Sequence, residues 1–301
     1  MIVVPILVAA GLTVPKTSSR AITSPAGTAD TMEVFCPVSL PIHKLYQILD
    51  KVGGFIVWGG SVNLAPADDR IIKVEHPLSI DAEGQMLASI MAKKASVSTT
   101  HLLIDIPVGR GAKIEDRKQA VHLQGHFERL GKALGIEVCT MITQGSEPIG
   151  NGIGPVLEAR DCIFTLKNDS RAPQDLRRKS LEMAAAALEF AGKAKKGQGM
   201  QMATEILNSG KAYKTFIDIV RAQGGRDVDP ESLKGGPLQY THLAPKTGTI
   251  TELNNVSIAR IARMAGAPKD KDSGIFLHHH CGDHVKKGEP IMTIYSHTRE
   301  K

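Results

Sequence analysis

The pattern of apolar and polar positions predicts alternating helices and strands for most of the chain. Ile2 to Leu12 is almost wholly apolar, with Pro5 near its start and Gly11 at its end, which predicts a short buried helix closed by a glycine. It has no basic lead-in and is too short to span a bilayer, so it reads neither as a secretion signal nor as an anchor. A domain that opens directly on a buried element is expected to have been cut from something longer. Leu12 to Lys16 reads as a strand, and a loop of Ser, Thr, Ala and Gly runs from Thr17 to Gly27. Thr28 or Asp30 is expected to cap a helix towards Val34. Pro41 to Val52 has Leu45, Ile48 and Leu49 on one face and Gly53 as its stop, an amphipathic helix. Phe55 to Trp58 is a short apolar strand ended by Gly59 and Gly60.

Helical spacing returns from Asp81 to Ala95, with Met86, Leu87, Ile90 and Met91 on the inner side. His101 to Ile106 is an unbroken apolar run of the buried, parallel type. The loop Pro107 to Lys113, a long helix from Asp116 to Leu134 stopped by Gly135, and a strand from Ile136 to Ile142 follow it. Strand, helix, strand in that order predicts a right-handed crossover. Gly145 to Pro155 is a glycine-rich turn, and helices are expected over Pro155 to Leu166, Gln174 to Ala194 and, once or twice, Met200 to Gln223. After Gly224 the texture changes. Gly225 to Pro237 resembles a linker, and short strands at Tyr240 to Ala244 and Gly248 to Glu252 precede one helix, Asn255 to Ala265. The predicted fold class is α/β, a mixed and mostly parallel sheet flanked by helices, with a small barrel-like α+β domain at the C-terminal end. The expected division is a catalytic domain over 1–224 and an α+β domain over 225–301.

Composition narrows the function classes. The chain has 301 residues, 42% of them hydrophobic and 23% charged, enough for a sizeable core. Aromatic residues make up 4%, too few for a stacking platform that holds single-stranded nucleic acid. A net charge of +6 suits anionic small molecules, but no basic run is dense enough for a DNA-binding stripe. Cys36, Cys139, Cys162 and Cys281 are scattered without metal or disulfide spacing, so a reducing, cytoplasmic setting is expected. Nucleic acid, membrane and metal are not expected as partners, and homo-oligomerisation is left open.

Two stretches carry chemistry. The loop Lys16 to Glu33 leaves a strand, turns through small hydroxyl residues and enters a helix. Backbone N–H groups there, with the hydroxyls of Ser18, Ser19, Thr23, Ser24 and Thr28, can surround an anion or a sugar, and Arg20 can grip phosphate or carboxylate; a hydroxyl-rich capping loop with Arg20 in a structural pair is the plainer alternative. Asp81, Gln85, Ser89 and Lys93 recur every four residues, a polar edge along one helix that is either a binding surface or a solvated face.

The run KTSSRAITSPAGTADTMEVF (16–35) resembles the signature of the thymidine and pyrimidine-nucleoside phosphorylase family. The likeness points to the branch of archaeal AMP phosphorylases and bacterial type 2 thymidine phosphorylases. Further segments fit in order: IVWGGSVNLAPADDR (56–70), LSIDAEGQMLASIMAKK (78–94), HLLIDIPVGRGAK (101–113), GNGIGPVLEAR (150–160), AQGG (222–225) and the C-terminal run over 265–296. The resemblance implies phosphorolysis: phosphate attacks C1′ of the sugar, the base departs and a sugar 1-phosphate forms. No cofactor is implied, since inorganic phosphate is a substrate. By the same resemblance Ser18, Ser19, Arg20, Ala21, Ile22, Thr23, Ser24 and Thr28 face sugar and phosphate, Ser89 and Lys93 hold base or nucleotide, and Asp81 is the proton donor to the leaving base. Lys113 stands where the nucleoside-specific branch has a hydrophobic residue, which favours a nucleoside 5′-monophosphate such as AMP. Its products would be free base and ribose 1,5-bisphosphate, with thymidine phosphorolysis as the alternative substrate reading.

The resemblance also implies departures. Val74-Glu75-His76 lacks the arginine with which the nucleoside branch binds its base. The family's phosphate loop and most of its helical domain would precede Met1, residues 66–96 would belong to that domain, and the C-terminal domain is incomplete. Two further readings stand beside it: an anthranilate phosphoribosyltransferase-like enzyme, whose family lacks a C-terminal barrel, and an inactive fragment. Finally, His278-His279-His280-Cys281 with His284 fits no zinc spacing and reads as structure, and Gly150-Asn-Gly-Ile-Gly154 reads as a tight turn, not a dinucleotide fingerprint.

Overall fold

The computed structural model describes residues 1–22, 24–62 and 83–298. Helix α1 (Val3–Ala9) is short and buried, and Gly11 takes the left-handed conformation just beyond it, as its position in the sequence predicts. Strand β1 (Val14–Ser18) pairs in parallel with β2 (Gly54–Trp58). Between them lie α2 (Thr28–Met32) and α3 (Ile42–Val52), the latter stopped by Gly53 at φ 78°. The cap of α2 differs from expectation: the N-cap is Gly27, and Asp30 sits inside the first turn with its carboxylate turned back onto the Gly27 N–H at 3.0 Å. No hydroxyl is needed at the cap, because the carboxylate three residues on does the capping.

Helix α4 (Glu83–Ala95) buries Leu87 and Met91, with Met86 and Ile90 packed beside them. Strands β3 (His101–Val108) and β4 (Glu137–Gln144) pair in parallel around the crossover helix α5 (Arg117–Leu134), which Asp116 caps by accepting from the Lys118 N–H. Leu123 and Phe127 of α5 close a compact apolar cluster with Leu87, Met91, Leu102 and Ile106. Among the described residues the two parallel pairs remain separate sheets instead of joining into one.

Strand β5 (Gly152–Ile153) leads into α6 (Pro155–Leu166), α7 (Gln174–Phe190), α8 (Gly199–Asn208) and α9 (Lys211–Ala222). These helices, with α1, α2 and β2, build the largest core, in which Phe216, Ile6, Met32, Ile56 and Leu188 are wholly buried. Gln223 stitches it to the first sheet, accepting from the Ile56 N–H at 2.8 Å and donating to the Ile56 carbonyl at 3.0 Å. Beyond it come β6 (Leu238–Leu243), β7 (Gly248–Thr249), α10 (Asn255–Ala265), β8 (Gly274–Leu277), β9 (His284–Val285) and β10 (Pro290–Ser296). The four-stranded sheet runs in the order β5-β8-β10-β6, so a strand from the first part of the chain forms its edge.

Candidate functional site

In open α/β architectures ligands collect beyond the carboxyl ends of parallel strands. Two loops lie there: the hydroxyl-rich loop after β1 and the loop Gly109–Lys113 after β3. Both border one cleft of about 1020 Å³, the first through Ser24 and Pro25, the second through Gly111. The opposite wall is α10 and the turn beyond it, which contribute Arg260, Arg263 and Lys269 beside Val256 and Met264. This concentrates positive charge where the loops end. The sequence reading missed these three cations, because nothing in the linear spacing ties α10 to loops more than a hundred residues earlier.

The loop after β1 is built around Asp30, which is only 6% exposed. Its carboxylate accepts from the Ala21 N–H at 2.7 Å, from the Gly27 N–H at 3.0 Å and from the Arg20 guanidinium at 3.0 Å. Gly27 is obligatory here, since a Cβ would stand 2.4 Å from the Ser19 carbonyl oxygen. Arg20 also makes a forked contact to Glu33, at 2.9 and 2.6 Å, and lies 5.1 Å from the centre of the Trp58 ring. Lys271 reaches the same Glu33 at 3.1 Å. The Arg20 guanidinium, helped by Lys271, holds the Glu33 carboxyl down at about 2. The sequence reading offered Arg20 and the loop N–H groups to a ligand; in this structure Arg20 and two of those N–H groups face internal carboxylates. Ser18 closes β1, Ser19 and Ile22 are exposed, Ser24 donates its hydroxyl proton to the Ala26 carbonyl, and Thr28 opens α2. Thr23 lies outside the described residues.

On α4, Lys93 donates to the Ser89 hydroxyl at 3.3 Å, so the two share one edge as the four-residue spacing predicts. Asp81 lies outside the described residues. Burial, reinforced by the charge of Lys94 in the last turn of α4, pushes the Lys16 ammonium down to about 8. Lys113 is exposed on the loop after β3, whose shape is held by the Gly111 N–H on Glu115 at 2.8 Å and by Arg110 on Glu252 at 3.0 Å.

The glycine turn 150–154 is held by acids. Asp161 accepts from the N–H groups of Asn151 and Gly152 at 2.7 and 2.6 Å, Asp175 accepts from Gly150 at 2.8 Å, and Glu158 accepts from Gly154 at 3.2 Å. With its N–H groups so taken, the turn is no phosphate cradle. Glu158 also accepts the Thr31 hydroxyl at 3.0 Å, coupling the turn to α2. Burial pushes Glu158 up to about 7 and Asp161 up to about 6. The histidines of the C-terminal part point to separate partners: His278 to Thr293, His279 to Asp283, and His280 to Asn151 and Glu147.

Residues 249–301 match the family described as Pyrimidine nucleoside phosphorylase C-terminal domain. Over 98% of its length the chain is 49% identical to a Legionella pneumophila (strain Paris) protein named "Putative thymidine phosphorylase", of which it covers 56%. It is 49% identical to AMP phosphorylase 1 of Archaeoglobus fulgidus, covering 58% of it, and 49% identical to the AMP phosphorylase of Pyrococcus furiosus, covering 60%. The chain thus spans somewhat more than half the length of these curated relatives. In fold it is similar to anthranilate phosphoribosyltransferase from Thermus thermophilus, with a TM-score of 0.57 over 74% of this chain and 72% of that one. At 19% identity that likeness concerns the fold alone. No helix among the described residues is long and apolar enough to cross a membrane.

Proposed function

We propose, from the premise that this chain belongs to the pyrimidine nucleoside phosphorylase family, that it forms the sugar- and base-facing part of an enzyme that phosphorolyses a nucleoside 5′-monophosphate. The observation that carries the choice of a nucleotide is the cationic cleft at the ends of β1 and β3, with Arg260, Arg263 and Lys269 on its wall and Lys113 on the loop that borders it. A dianionic 5′-phosphate is drawn to such a cleft more strongly than a neutral nucleoside is.

The chemistry follows from what the reaction demands. Inorganic phosphate displaces the base at C1′ through an oxocarbenium-like transition state, so the sugar must be held still and the departing base must receive a proton. The rigid loop over Ser18, Ser19, Ala21 and Ser24 suits the first task, because its internal carboxylate ties fix the loop before any ligand arrives. Ser89 and Lys93 hold the base, and Asp81 protonates it as the bond to C1′ breaks. The products are free base and ribose 1,5-bisphosphate.

Phosphate-dependent release of base should be measured for AMP, CMP and UMP against adenosine and thymidine. A clear preference for one monophosphate over its nucleoside is expected. Equal efficiency on both removes the nucleotide assignment, and turnover of thymidine alone favours the second reading, thymidine phosphorolysis, which is the activity in the name of the Legionella relative. Asp81→Asn should lower turnover by roughly 10²–10⁴-fold while leaving KM nearly unchanged; wild-type turnover in that variant removes its role as the donor.

A further inference from the structure

Outside the cleft, one side-chain cluster has no part in the chemistry above. His122 and His126 lie one turn apart on α5, and Glu83 opens α4 against them. The Nε2 atoms of the two histidines are 2.9 Å apart, and the Glu83 Oε1 is 3.4 Å from His122 Nε2 and 3.7 Å from His126 Nε2. Among the described residues this is the one group of three metal-ligating side chains whose donor atoms converge.

We propose that Glu83, His122 and His126 form a binding site for one divalent transition-metal ion of the zinc type. Three observations carry it. Separations of 2.9, 3.4 and 3.7 Å put the three donor atoms on a circle of about 2 Å radius, the bond length of zinc to imidazole nitrogen and carboxylate oxygen. A point equidistant from all three can therefore receive an ion without moving the backbone. A single proton shared between the two nitrogens satisfies one edge of that triangle, whereas a cation satisfies all three. The site also opens to solvent, since the side chains of His122, Glu83 and His126 are 62%, 38% and 31% exposed, so water can complete the coordination.

The spacing His122-Leu-Gln-Gly-His126 is that of zinc-binding helices, but the position after the first histidine is Leu123, buried in the core, where a hydrolytic zinc helix carries its general base. The site is therefore a clamp, not a second catalytic centre. It joins the first turn of α4 to α5, and α4 is the helix that bears Ser89 and Lys93 six and ten residues further on. An ion there fixes the direction in which that edge points. One group opposes it: Arg129 lies 3.1 Å from His126 Nδ1 and 3.4 Å from its Nε2, and must turn away when Nε2 takes a metal and Nδ1 keeps its proton. Arg129 is exposed and has room to do so.

The test uses the full chain stripped with a chelator and titrated with zinc by calorimetry, then with cobalt(II) by visible absorption. One equivalent per chain is expected, with cobalt ligand-field bands and a rise in Tm on metal addition. His122→Ala, His126→Ala and Glu83→Gln should each weaken binding by at least about tenfold, on the scale of single-group losses at metal sites. Arg129→Gln should tighten it, and His279→Ala with His280→Ala should leave it unchanged. Absence of a bound equivalent in the wild-type chain overturns the proposal. So does an equivalent whose affinity survives His122→Ala and His126→Ala, or one that disappears with the His279 and His280 pair.

Discussion

The two loops at the strand ends solve opposite problems. The loop after β1 turns its charge inward: Arg20 and Lys271 balance Asp30 and Glu33, and two backbone N–H groups are tied to Asp30. The loop after β3 turns its charge outward, with Lys113 exposed and Arg110 reaching over to Glu252. The β1–β2 pair lies against the largest core, and Asp30 ties the described part of its loop from within. The β3–β4 pair rests on a smaller cluster, and most of its strand residues are only half-buried. The difference teaches a division of labour. On the proposed function, the surface that holds a neutral sugar is fixed from within, whereas the surface that attracts an anion presents its cations to solvent.

The sharpest way to break the comparison is to remove the inward charge. Asp30→Ala leaves the Ala21 and Gly27 N–H groups without acceptors in a part-buried setting. Each such loss costs about 1–3 kcal/mol, so destabilisation of roughly 2–6 kcal/mol is expected in urea unfolding, together with loss of turnover. Asp30→Asn, which keeps one acceptor oxygen, should cost less. If Asp30→Ala unfolds at the wild-type urea concentration, the loop does not depend on its internal carboxylate.

A second test uses pH. Glu158, joined to α2 through Thr31, titrates at about 7 in the folded chain because burial penalises its charge, against an ordinary 4.5. A raised folded value contributes stability that is complete below about pH 4.5 and is lost as pH rises through about 7. Asp161 acts in the same sense, from below 3.8 up through about 6. Glu33, held at about 2, works the other way, but only as the pH falls from 4.5 through about 2. Between pH 5 and 8 these two carboxyls should therefore lower the Tm, by an amount worth on the order of 1–3 kcal/mol, opposed by His278 and the Met1 amino group, whose values burial lowers. Glu158→Gln should flatten the upper half of that slope. An unchanged slope in the variant assigns the dependence elsewhere.

Local pattern made much of this legible. The buried α1 with its following glycine, the strand-helix-strand unit over β3, α5 and β4, and the limits of α6 and α10 follow from periodicity and stop residues. What sequence could not show is who partners whom at long range. The segment Thr-Ala-Asp-Thr-Met-Glu reads as a helix entry, yet its meaning lies in Asp30 reaching back nine residues to Ala21 and Glu33 reaching back thirteen to Arg20. Likewise Arg260, Arg263 and Lys269 read as ordinary surface cations until α10 is seen facing the two loops. His122 and His126 show helical spacing on their own, but without Glu83 folded against them they form no triangle.

The smallest expected change in stability belongs to the outward loop, and it makes the comparison most informative. Lys113 is exposed, so Lys113→Ala should alter stability by no more than about 0.5 kcal/mol. Its effect should fall on binding instead. A cation that meets only a 5′-phosphate lowers the free energy of bound substrate and of the transition state alike, so its removal raises KM for the monophosphate and leaves kcat nearly unchanged. The parent nucleoside, which has no group for Lys113 to meet, should be handled equally by both proteins. The contrast with Asp30→Ala is then complete: one substitution costs fold and turnover together, the other costs recognition alone. If Lys113→Ala weakens nucleoside and nucleotide equally, the outward loop serves the sugar or the base, and the cations of α10 must carry the 5′-phosphate without it.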